Sequence, residues 1–131
     1  MKVHLLSDLH NEFAEYEPDG DAIAAADVIV LAGDIGVGVK AVHWIHDHMP
    51  KGKPVLFVPG NHEYYRGDLA FTLDEMRAEV DAYNQLGYQF FLLDNQAVML
   101  NDVQFVGATM WTDYQLSGNQ PIAMYDAQQT M

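Results

Sequence analysis

The sequence predicts an α/β fold, with parallel βαβ units followed by a β-hairpin. Three observations predict it. Short, β-favouring apolar runs alternate with segments of helical character along most of the chain, the pattern of strands joined by crossover helices. The run Val28-Ile29-Val30-Leu31-Ala32 has no polar face, as a strand buried on both sides of a parallel sheet requires. Three of the runs end at once in turn residues and polar donors. Right-handed crossovers would gather those three ends along one edge of the sheet.

The elements follow in order. Residues 1–7 are read as the first strand, carrying His4 as a packed residue. A polar, turn-rich loop covers 11–20, and the Ala-rich stretch 21–26 is a short helix that Asp19 or Asp21 can cap. Residues 27–32 form the second strand, 33–38 a glycine-rich turn, and 39–48 a helix stopped by Pro50 and Gly52. Pro54 to Val58 is the third strand. The longest helix spans 68–86, with Leu69, Leu73, Met76, Val80 and Tyr83 at helical spacing and Gly87 at its end. Residues 88–93 are a strand. Residues 97–100 and 103–107 then form a hairpin around Asn101-Asp102. Residues 109–131 show aromatic and polar content without a period.

Composition narrows the function classes. The 131 residues suit one domain with a core of its own. There are six basic residues against 19 acidic ones, a net charge of −13 and a pI near 4.4. Nucleic-acid binding rests on clustered Lys and Arg, so a polyanionic partner is disfavoured. Absence of cysteine excludes disulfides and thiolate metal sites. No run reaches membrane-helix length and the first residues lack a signal-peptide layout, so the expected location is cytoplasmic.

The chemistry sits at the strand ends. The first strand leads into Asp8-Leu9-His10, the second into Gly33-Asp34, and the third into Pro59-Gly60-Asn61-His62-Glu63. Two carboxylates, an imidazole and a carboxamide make a borderline-hard donor set, suited to Mn²⁺, Fe²⁺/Fe³⁺ or Zn²⁺. Asp8 and His10, two apart in an extended segment, would point to one side. Arg66, just beyond, could touch a phosphate.

Asp8-x-His10, Gly33-Asp34 and Gly60-Asn61-His62-Glu63, in this order and each after an apolar strand, resemble the first three motifs of the calcineurin-like metallophosphoesterases. The resemblance implies the N-terminal portion of an α/β/β/α sandwich around two divalent metal ions. It implies Asp8 and His10 on the first metal, Asp34 bridging, Asn61 on the second, and His62 as proton donor to a small phosphoester substrate. Glu63 stands where the family often has Asp and is read as orienting His62. The family carries further ligands, a lone His and a Gly-His-x-His motif. No histidine follows His62 here. Residues 1–131 are therefore expected to be a single incomplete domain, inactive or weakly active alone.

Other readings fit parts of the chain. Gly36-Val37-Gly38-Val39-Lys40-Ala41 fits a dinucleotide-binding glycine pattern, with Glu63 as its distant acid. It leaves Asp8-x-His10 and Asn61-His62 unexplained. A non-catalytic metal-binding or interaction fragment is a further alternative. His43 and His46, on one helix face, are read as exposed polar residues rather than a zinc pair. Trp111, Tyr114 and Tyr125 are read as packing residues.

Overall fold

The computed structural model describes residues 1–130. Four strands, β1 (Val3–Leu6), β2 (Val28–Ala32), β3 (Pro54–Val58) and β4 (Gln89–Leu92), form one parallel sheet in the order β1-β2-β3-β4. Helices α1 (Gly20–Ala25), α2 (Val39–His48) and α3 (Leu69–Gln85) make the three crossovers. A sheet built outward in one direction by crossovers of one hand carries its helices on one face. Accordingly, Ile23 of α1, Trp44 and Ile45 of α2, and Met76 of α3 share a core with Ile29 and Leu31 of β2 and Val55 and Phe57 of β3.

The opposite face is covered by the antiparallel hairpin of β5 (Gln96–Leu100) and β6 (Val103–Gly107). Val98, Leu100 and Phe105 pack there against Val28, Leu56 and Leu93. Cover on both faces explains the continuous apolar reading of β2. At the sheet edge Val3 and Leu5 stay open on this side, 47% and 63% exposed.

Local chemistry sets the boundaries. The Asp19 carboxylate accepts from the Asp21 and Ala22 amides and starts α1 one residue before the predicted helix. Asp68 caps α3 by accepting from the Phe71 amide. At the far end Gly87 has φ +95°, with its amide on Asn84 O and that of Tyr88 on Tyr83 O; this is a Schellman closure that glycine suits. Asn101 and Asp102 have φ 47° and 62°, the mirror-image turn that matches hairpin twist.

Three expectations change. Residues in the C-terminal stretch form a helix, α4 (Gln120–Thr130). Its apolar residues Ile122, Met124 and Tyr125 are exposed and mark no buried face. Leu69, at helical spacing in the first turn of α3, is also exposed. His43 is exposed, as read, with Nε2 3.2 Å from Glu79 Oε1, but His46 is half-buried and stacks on Tyr83 at 4.1 Å between ring centroids. His4 is half-buried in β1, as a packed residue would be. No helix among the described residues is long and apolar enough to cross a membrane.

Candidate metal centre

The loops after β1 and β2 are laced together by backbone hydrogen bonds. Asp8 N donates to Gly33 O at 3.0 Å, His10 N to Asp34 O at 2.9 Å, and Asn11 N to Ile35 O at 3.0 Å. They prolong the β1–β2 ladder past the strands and hold both motifs at one edge. The segment is not extended, contrary to the expectation for Asp8 and His10. Asp8, His10 and Asp34 have φ 55°, 49° and 55°. Non-glycine residues in this region carry strain, and Asp and His are among those that tolerate it. The convergence survives the altered backbone: one ligand atom from each of Asp8, His10 and Asp34 lies within 4.8 Å of the other two.

The third loop is brought in by glycine. A Cβ on Gly60 would collide with Asp34 Oδ1 and stand 2.6 Å from Asp34 N. Only glycine lets the β3 loop approach Asp34 so closely. Gly33, at φ +89°, faces the same junction, where a Cβ would stand 3.0 Å from Gly60 Cα. Asp34 Oδ1 then accepts from the His62 amide at 3.0 Å. Asp8, Asp34 and Asn61 line one cavity of about 330 Å³. Asn61 Nδ2 donates to Tyr65 Oη at 3.1 Å, which commits the amide nitrogen and leaves its oxygen as a donor to a cation. Two carboxylates, an imidazole and a carboxamide oxygen gathered at one edge fit a divalent ion.

Glu63 does not orient His62. It is 0% exposed. Its Oε1 accepts from the amides of Ile35 at 2.7 Å and Gly36 at 3.1 Å, and its Oε2 from those of Asp34 at 3.0 Å and Gly60 at 2.6 Å. Burial raises its pKa above the ordinary carboxylate value, and the four amide donors offset this only in part. Glu63 thus fixes the loop carrying Asp34 to the loop carrying Asn61. It also consumes the Gly36 amide, while its carbonyl takes the Gly38 amide at 2.8 Å. The amides of both glycines of the dinucleotide-like pattern are therefore engaged and closed to a pyrophosphate.

The partner of His62 is Glu12, which the sequence reading missed. His62 Nδ1 lies 2.7 Å from Glu12 Oε1, and His10 Nδ1 lies 3.3 Å from the same oxygen. The His10 and His62 rings meet edge-on at 4.3 Å. Burial works to raise the Glu12 carboxyl, but its own backbone amide and the two imidazoles outweigh it and hold it below the ordinary value. The only signal available was an acid two residues beyond His10, which the sequence could not connect with His62. Arg66 is exposed, at φ 61°, and lines a neighbouring cavity with Lys40 and Glu12 rather than the one with Asp8 and Asp34.

The fold and site define a class: an α/β protein whose parallel sheet gathers, at its carboxyl edge, side chains that could hold a metal ion. The profile of the calcineurin-like phosphoesterases matches residues 1–120. The chain belongs to that family, whose members hydrolyse phosphoesters with divalent metals. It is also similar to an uncharacterized protein of Acanthamoeba polyphaga mimivirus, at 26% identity over 134 residues, covering 92% of this chain and 48% of that protein. The chain thus spans about half the length of the curated relative it matches.

Proposed function

We propose that this chain contributes the metal-binding and proton-donating groups of a site that hydrolyses phosphate mono- or diesters. Asp8 and His10 would hold one divalent cation and Asn61 a second, with Asp34 available to both. When bound, such a pair supplies Lewis-acid polarisation of the phosphate and a hydroxide at neutral pH. Around it, the chain's own groups have defined tasks. Glu12 holds His62 through Nδ1 at 2.7 Å and so turns Nε2 toward the leaving oxygen, where it can pass a proton. Glu63 keeps Asp34 and Asn61 at a fixed separation. Arg66 and Lys40, on one cavity beside Glu12, offer positive charge to an incoming phosphate. With a net charge of −13, the chain suits a small ester better than a long polyanion.

The clustering of Asp8, His10 and Asp34 donor atoms within 4.8 Å carries this reading. Four donors for two cations, with no histidine after His62, make the segment by itself a weak metal binder and a slow catalyst. In the complete protein with added Mn²⁺, Asp34→Asn is expected to lower hydrolysis of 4-nitrophenyl phosphate or its bis-ester by at least about a hundredfold, beyond the loss of an outer-shell partner. Retention of the wild-type rate in that variant would refute the assignment.

A further inference from the structure

Beside the metal centre lies a second cavity, of about 400 Å³, lined by Tyr64, Tyr65, Met110, Trp111 and Tyr114 together with Asn61 and Thr112. Its walls are aromatic and no carboxylate lines it, in a chain with 19 acidic residues. Asn61 and Met110 line this cavity and also the one containing Asp8 and Asp34. Tyr65 joins the two: its hydroxyl takes the Asn61 amide, and its ring stands 4.2 Å from that of His62. The Tyr64 and Trp111 rings meet at 5.6 Å between centroids. Tyr64 is buried, while Trp111 is 56% exposed, so a fixed floor adjoins an open wall.

We propose that this cavity receives the planar aromatic part of the substrate's leaving group, a nucleobase or an aryl ring. The proposal rests on the metal-centre reading above for the position of the phosphate. A ring held against Tyr65 and Trp111 leaves the ester oxygen, borne by the aryl ring itself or by the ribose of a nucleoside, on the side of Asn61 and His62. The volume lies within the range of small-ligand pockets. Stacking on aromatic side chains tolerates any flat ring and needs no charge complement. The selectivity so obtained is for aromatic over aliphatic phosphoesters.

Tryptophan fluorescence of the 131-residue chain tests this without turnover. Trp44 is 6% exposed and serves as a steady background, whereas Trp111 is the exposed reporter. Adenosine probes the nucleoside source, phenol the aryl source, and ribose is the non-aromatic control. Saturable quenching by adenosine supports nucleotide esters, and saturation by phenol alone supports aryl esters. By calorimetry, Trp111→Leu and Tyr65→Leu each weaken binding of the effective probe about tenfold, within the range that lost stacking accounts for. No saturation by either probe, or unchanged affinity in both variants, overturns the proposal and leaves Trp111 as a packing residue. Asp34→Asn separates the two readings: it keeps ring binding while losing metal-dependent hydrolysis. Ring binding together with full hydrolysis in Asp34→Asn would sink the metal reading and uphold the pocket.

Discussion

Four backbone amides converge on the two oxygens of Glu63, and one carboxylate oxygen of Glu12 serves two histidines. These two acids organise the site from behind. Glu12 carries a pH signature. Its folded-state pKa lies below the ordinary 4.5, so the folded protein binds fewer protons than the unfolded chain between the two values. The stability it contributes is fully present above 4.5 and is lost as pH falls through the lowered folded value. Urea denaturation of wild type and Glu12→Gln is therefore expected to show a stability gap that is constant at neutral pH and closes as the solution is acidified below 4.5. A gap that widens with acidification would contradict this role. The meeting of Asp8, His10, Asp34 and Asn61 at one sheet edge was legible because each motif follows an apolar strand. Glu12 was not, because 50 residues separate it from His62 and no spacing rule joins them.

At the scale of elements, α1 shows how a marginal helix is held. Its six residues are too few to persist alone. Asp19 closes the start, and Lys53 closes the end from 30 residues away. Lys53 Nζ donates to the carbonyls of Ile23 at 2.5 Å, Ala24 at 3.0 Å and Ala26 at 2.6 Å. A cation on the last carbonyls of a helix is favourable in both hydrogen bonding and dipole. Lys53→Met is expected to cost about 1–3 kcal/mol in denaturant unfolding, with amide exchange rising first in α1. An unchanged midpoint would show that water replaces the ammonium at no cost. The Asp19 cap could be read from sequence, since capping is local. The Lys53 closure could not, since it spans a strand and a helix. The start of α4 had faint local signals in Asn119, whose side chain accepts from the Ile122 amide at 3.3 Å, and in Pro121 in the first turn. The helix escaped notice because its apolar residues mark no stripe.

At the scale of the molecule, parallel β1-β2-β3-β4 order is what delivers three distant loops to one edge. That much follows from alternating strands and helices alone. The helical layer and the hairpin layer were likewise readable, since β2 is apolar on both faces and Asn101-Asp102 marks a tight turn. The left-handed backbone at Asp8, His10 and Asp34 was not, because it arises from lacing the β1 loop to the β2 loop. The whole-chain charge of −13 also attracts cations without any site, so metal binding must be separated from general attraction.

Calorimetric titration of the 131-residue chain with Mn²⁺ does this when wild type is set beside Asp34→Asn and Asp81→Asn, the latter an exposed acid on α3 that removes the same charge. A weak but saturable Mn²⁺ isotherm, retained in Asp81→Asn and lost in Asp34→Asn, is the predicted result. Equal isotherms for the two variants would contradict a metal centre at this sheet edge.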